Sequence, residues 1–124
     1  MSAIVEQVLS LSKADGCVAI LEETSTVDLR WATNTLTTNG SRRERSLTVI
    51  SIVGESVGTV SASVLDDLEG LVRASEQAAR DAGAAEDYMP LLSGPADSDF
   101  SQAPELTTTA VFSQLATDLG ESFA

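Results

Sequence analysis

The sequence predicts an α+β domain: a helix, a mostly antiparallel four-stranded sheet, a long helix packed on one face, then an irregular acidic segment and a terminal helix. Three observations carry this. Apolar residues recur at three- and four-residue spacing over 2–14 and again over 64–82. Between those stretches the period shortens to two, with β-branched runs set off by turn residues. All three prolines come late, at Pro90, Pro95 and Pro104.

Taken in order, the first helix (2–14) places Ile4, Val5, Val8, Leu9 and Leu11 on one stripe, with Ser2 as N-cap and Asp15-Gly16 as the stop. Strands are expected at 17–23 and 27–33, joined by a turn at Thr24-Ser25-Thr26. In the second of these, Val27, Leu29 and Trp31 point one way and Asp28, Arg30 and Ala32 the other. A polar stretch follows, with a turn signal at Asn39-Gly40, since both residues tolerate positive φ. Leu47 to Val53 is rich in β-branched residues and gives a strand over 46–53. Gly54-Glu55-Ser56 turns it into a strand over 57–62, forming a hairpin.

The long helix spans 64–82. Ser63 to Asp66 resembles a capping box, and Asp66, Asp67 and Glu69 suit the positive end of the helix dipole. Its inner stripe is Leu65, Leu68, Leu71, Val72, Ser75, Ala78, Ala79 and Ala82, with Gly83 as the stop. The later half of that stripe is small, which predicts a close approach to the sheet. Residues 1–83 thus form the core, 84–106 a Pro- and acid-rich linker, and 107–124 a terminal helix with Ala110, Val111, Leu115, Ala116 and Leu119 on one face. Ending on an amphipathic helix with no partner downstream reads as a fragment of a longer protein.

The net charge is −12, and its placement is uneven. All seven basic residues precede position 81. From there on the carboxylates are Asp81, Glu86, Asp87, Asp97, Asp99, Glu105, Asp118 and Glu121, with no base among them. Such a field repels phosphate and anionic lipid, so nucleic acid and membrane are not expected partners. The amino terminus lacks the basic and apolar regions of a signal peptide, and no run approaches a membrane span, so a cytoplasmic location is expected.

Candidate chemistry is sparse. There is no histidine, and Cys17 sits in an apolar run that reads as an inert core thiol. The adjacent carboxylates Glu22-Glu23, Asp66-Asp67 and Glu86-Asp87 do not form an acid/base couple, and no calcium-loop pattern is present. No catalytic, cofactor-binding or metal-ligating residue is therefore assigned. Two features remain as interaction candidates. Arg42, Arg43 and Arg45 could dock an acidic peptide, a nucleic acid or an acidic partner surface. Charge favours the simpler reading, a solvated loop balanced by Glu44 and the acidic tail. Trp31, in phase with Val27 and Leu29, reads as a core or interface aromatic.

The run Leu29-Arg30-Trp31-Ala32-Thr33-Asn34-Thr35-Leu36-Thr37-Thr38-Asn39-Gly40, then Arg45-Ser46-Leu47-Thr48-Val49-Ile50 and Gly58-Thr59-Val60-Ser61-Ala62-Ser63, carry a resemblance. With the acidic helix start and the alanine-rich Ala74-Ser75-Glu76-Gln77-Ala78-Ala79-Arg80, they are similar to the amino-terminal domain of the TldD/PmbA family. That family comprises zinc metallopeptidases and their inactive TldE/PmbA-type partner subunits, also called modulators of DNA gyrase. Members use a His-Glu-x-x-x-His motif in a carboxy-terminal domain, which this sequence does not contain, so no functional residue carries over. The resemblance implies a non-catalytic domain that helps enclose a substrate chamber and associate subunits. It implies a homo- or hetero-dimer with a related subunit and unfolded peptide as the substrate of the assembly. No cofactor is expected in this chain; zinc is implied only for an active parent or partner. Strand edges and the terminal helix are the expected sticky surfaces. The rival expectation is a stand-alone acidic adaptor that binds a basic partner through residues 81–124.

Overall fold

Residues 2–33, 35–94 and 101–123 are described in a computed structural model of the chain. The elements are α1 (Ser2–Leu11), β1 (Gly16–Ala32), β2 (Thr35–Val53), β3 (Ser56–Ala62), α2 (Leu68–Asp81) and α3 (Ser113–Phe123), the last preceded by a 3-10 turn at Thr109–Phe112. The strands form one sheet in the order β1-β2-β3. The chain clusters into two units. The first is Met1–Glu22 with Arg45–Ala103, and the second is Glu23–Glu44 with Pro104–Ala124.

The α+β class holds, but among the described residues the sheet has three strands where four were expected. Residues 17–23 and 27–33 belong to one strand, β1, with no turn at Thr24-Ser25-Thr26. The physical reason is local. The two threonines suit a pleated surface, and the triplet holds no glycine, proline or asparagine to reverse the chain. The reversal comes later. Thr33 has φ 52, and β2 starts at Thr35. Consequently Asn39 and Gly40, the expected turn, lie inside β2.

The hairpin of β2 and β3 matches the expectation closely. It is antiparallel, with register from Leu47↔Ala62 to Val53↔Ser56. Gly54 sits at φ 62, the left-handed region that glycine enters without a Cβ penalty.

The first unit buries Val8, Leu47, Val49 and Val72 completely, with Ile4, Leu11, Cys17, Ala19, Leu21, Leu65, Leu68 and Leu71 packed around them. Leu47, Val49 and Ser51 alternate along β2 and present one side of the sheet to the helices. Here α2 packs against β3, as the small residues of its later half anticipated. The approach is closest at Gly58, which is buried. A Cβ there would run into the Ser75 carbonyl oxygen and the Ala79 nitrogen of α2. Beside it, the buried hydroxyls of Ser51 and Ser75 are 2.7 Å apart, and Ser75 Oγ donates to the Val72 carbonyl at 2.8 Å. Ser75 has only one hydroxyl proton, so Ser51 is the donor to it.

Both helix boundaries differ from the sequence expectation. First, α1 stops at Leu11 and does not reach position 14. The following backbone is claimed by other partners: Lys13 N–H donates to Glu76 Oε1 at 2.6 Å, and Asp15 N–H to the Ile52 carbonyl at 2.9 Å. Second, α2 begins at Leu68, four residues later than expected, and its N-cap is Asp67 in place of Ser63. The Asp67 carboxylate accepts from Gly70 N–H at 2.8 Å. Leu65 packs against the core before the helix starts. At the other end Ala82 is extended, so α2 ends before Gly83.

After α2 the segment 83–94 is irregular and largely exposed, tied back by Ala85 N–H to the Glu55 carbonyl at 2.9 Å. The rest of the expected linker includes 95–100, with Pro95, Asp97, Asp99 and Phe100, which lies outside the described residues. The terminal helix forms within the expected 107–124.

Gly58→Ala should lower stability by about 3 kcal/mol, because overpacking at a backbone contact cannot relax through a rotamer change. Gly54→Ala should cost about 1 kcal/mol for its positive φ. Urea denaturation of the two variants checks the order.

Candidate functional site

The most unusual side chain in the first unit is Glu76, which the apolar pattern of α2 did not flag. Only 1 % of it is exposed, although it is charged. Its position follows from helix geometry: it falls next to Val72, Ser75 and Ala79 on the face turned inward. Two arginines on the same helix shield it. Arg73 Nη1 donates to Glu76 Oε2 at 2.8 Å, and Arg80 Nη2 stands 3.8 Å from the same oxygen. The other oxygen accepts the Lys13 N–H. Arg73 also donates from Nη2 to the Leu11 carbonyl at 3.0 Å and lies 3.5 Å from Glu69. So one ion pair closes the last turn of α1 from both sides, holding a carbonyl with the cation and an N–H with the anion.

Burial alone would push the Glu76 carboxyl up. The Lys13 N–H, then Arg73 and Arg80, outweigh it and hold Glu76 below the usual carboxylate range. Arg73 is held above its ordinary value, chiefly by its hydrogen bond to Glu76. Every acceptor direction of Glu76 that these contacts fill is spent inside the domain, which is the signature of a clamp between α1 and α2.

In the second unit an open cleft of about 470 Å³ is lined by Glu23, Thr24, Ser25, Glu105, Leu106 and Thr107. Its two walls are clasped together: Thr107 N–H donates to Ser25 Oγ at 3.0 Å, and Ser25 Oγ donates to the Thr107 carbonyl at 3.3 Å. That reciprocal bond engages the Ser25 hydroxyl as both donor and acceptor, and the carboxylates of Glu23 and Glu105 stand among the lining residues. The clasp was not legible in sequence, because it joins positions 82 apart.

The sequence-derived interaction candidates are placed as follows. Trp31 is half-buried on β1, in alternation with exposed Arg30 and Ala32. Arg42, Arg43 and Arg45 are exposed, and they lie on a strand where a loop was expected. Arg42 pairs with Glu44 at 3.5 Å, both well exposed, which is worth little in solvent. Of the adjacent carboxylates, Asp67 is engaged as a helix cap, and Glu22 and Glu23 alternate along β1. Cys17 is half-buried against the core.

The family model described as PmbA/TldA metallopeptidase domain 1 matches residues 17–82. The chain belongs to this family. The matched span of this PmbA/TldA first domain runs from the second residue of β1 to the C-cap of α2, so it contains the β2–β3 hairpin, Gly58 and the Arg73–Glu76 pair. No curated protein matches the chain. A metallopeptidase centre would draw on histidine, cysteine and clustered carboxylates. This first domain has no histidine, and among the described residues no three such groups come together to hold a metal ion. The described side chains therefore do not fit a zinc site. Among the described residues no helix is long and apolar enough to cross a membrane.

Glu76→Ala should cost about 3 kcal/mol, leaving the Lys13 N–H and the facing arginine without their acceptor. Because the folded carboxyl titrates below its unfolded value, its contribution is complete above the unfolded pKa of about 4.3 and is lost as pH falls through the folded value. The stability gap between wild type and Glu76→Gln, measured by urea denaturation, should be widest near neutrality and shrink as pH drops below about 4.

Proposed function

We propose that this chain is the non-catalytic first domain of a TldD/PmbA-like peptidase or of its inactive partner subunit. In this reading it contributes to enclosing a chamber for unfolded peptide and to subunit association. The observation that supports it is how the domain uses its charge. Among the described residues the one buried carboxylate, Glu76, is engaged by contacts that dock α1 onto α2, and no histidine exists to complement any other carboxylate. The domain's polar chemistry is thus spent on holding its own parts. Zinc, on this reading, belongs to another domain or another chain.

The test has two arms. The purified chain, incubated with an unfolded carboxymethylated protein with and without added zinc, should show no hydrolysis. Mixed with a family subunit that carries His-Glu-x-x-x-His, it should co-elute as a complex in size-exclusion chromatography. Zinc-dependent cleavage by the chain alone, or no complex with such a subunit, would overturn the reading.

A further inference from the structure

Both helices of the first unit, α1 and α2, lie on one side of its sheet. Cys17, Ala19 and Leu21 of β1, with Leu47 and Val49 of β2, turn toward the cluster around Val8 and Val72. Alternation sends Gly16, Val18 and Ile20, and likewise Ile50 and Ile52, to the other side. The third strand agrees. Gly58 meets α2, so Val57, Thr59 and Ser61 face away, and Ser61 Oγ lies 2.7 Å from Thr48 Oγ across the strand pair. Ile52 and Val57 are partners in the same register.

An antiparallel sheet whose second face meets water is ordinarily polar on that face. Here Val18, Ile20, Ile50, Ile52 and Val57 make it apolar, with Ile20 45 % and Val57 36 % exposed. The chain after α2 crosses one end of it. Ala85 N–H binds the Glu55 carbonyl, and the Cδ1 atoms of Leu91 and Ile52 stand 3.1 and 3.3 Å from where a Gly16 Cβ would be. This strap covers the end nearest the β2–β3 turn and leaves Met89, Leu91 and Leu92 exposed beside it.

Charge narrows what can cover the rest. Asp15 and Glu55 flank the β2–β3 turn, where the Asp15 carboxylate accepts from Gly54 N–H at 2.7 Å. The strap adds Glu86 and Asp87, and Glu22 follows Ile20 on the same side of β1. The outward-facing strand positions of this unit and the strap hold no base among the described residues, and Lys13 is the one base in the chain adjoining Asp15. Such a rim repels anionic lipid and a second copy of itself, and it attracts lysine and arginine. The apolar floor asks in addition for an apolar partner surface. With seven residues in β3, the face runs about 23 Å, the length of a helix of about 15 residues. A helix laid on a sheet is also an ordinary way to complete a layer.

We propose that this outer face docks a basic amphipathic helix of another protein, its apolar stripe on Ile20, Ile50 and Val57 and its lysines or arginines on the acidic rim. The inference does not depend on the scaffold reading, which makes no use of this face.

Fluorescence anisotropy with the full 124-residue chain tests it. The probe is a labelled peptide of about 15 residues with leucine along one helical stripe and lysine elsewhere. Two control peptides replace its lysines by glutamate or its leucines by serine. The probe should bind at least about tenfold tighter than either control. Ile20→Gln with Val57→Gln should weaken binding about tenfold with circular dichroism unchanged, whereas Leu9→Gln, at a residue 46 % exposed on α1, should not weaken it. Glu86→Lys with Asp87→Lys should also weaken it, and added salt should shrink that loss. Asp118→Lys with Glu121→Lys makes the same change in net charge on the second unit and should alter binding less than about twofold. Backbone NMR of the wild type gives a readout free of mutation: the probe should shift Val18, Ile20, Ile50 and Val57 and leave Val72 and Ala79 in place. Equal binding of all three peptides, indifference to the Ile20 and Val57 substitutions, equal losses from the two lysine pairs, or shifts confined to the second unit each overturn the inference. Any of these beside an intact complex with a zinc-carrying family subunit would sink this inference and leave the scaffold reading standing.

Discussion

The first unit is organised around one close approach, that of the α2 backbone to β3 at Gly58. Helix and sheet ordinarily keep their distance through intervening side chains. Here a hydrogen stands where a side chain would be, and small residues on α2 continue the fit along the helix. Once α2 lies that near the sheet, Ser51 and Ser75 must find each other, since neither could reach water. The same placement brings position 76 under the end of α1. An apolar residue there would fill space, whereas a glutamate flanked by two arginines supplies the hydrogen bonds that the last turn of α1 needs.

Buried ion pairs rarely gain much stability over an apolar substitute, but they are demanding about geometry. The Arg73–Glu76 pair shows what such a demand accomplishes. It accepts from one backbone N–H and donates to one carbonyl, each on a defined residue of the chain leaving α1. A helix displaced by one turn would meet neither. The pair therefore fixes the register of α1 against α2 more than the apolar cluster around Val8 could by itself, since branched aliphatic side chains tolerate small slides.

The parts of this fold governed by local pattern were legible in the sequence. Alternation along 47–62 and a glycine at its turn gave the hairpin within a residue, and the small face of α2 announced its close packing. The misreadings share a cause. At 24–26 and 39–40, turn-tolerant or polar residues suggest turns, yet an asparagine or glycine permits positive φ without requiring it. The neighbouring strand decided the matter, and Thr33, an unfavourable type for φ 52, was drafted into the reversal. The end of α1 falls earlier than its apolar stripe suggests because Lys13 and Asp15 hydrogen-bond to residues far along the chain. The carboxylate clamp was hidden for a related reason: Glu76 looks like any solvated glutamate until α1 arrives above it. Trp31 kept its predicted alternation, whereas the arginines moved from a loop to a strand.

The clasp between Ser25 and Thr107 has a bearing on how the chain reaches its folded state. It closes a loop of 82 positions, an ordering cost on the order of 4 kcal/mol in chain entropy. On a ribosome, the hairpin residues 23–44 emerge well before the helix that completes their unit. Throughout that interval the first unit already has most of the sequence needed for its core, while the hairpin waits with its apolar side uncovered. The second unit is thus the last to be assembled and the natural place for a nascent chain to be intercepted, by a chaperone, by a protease or by another nascent copy of itself.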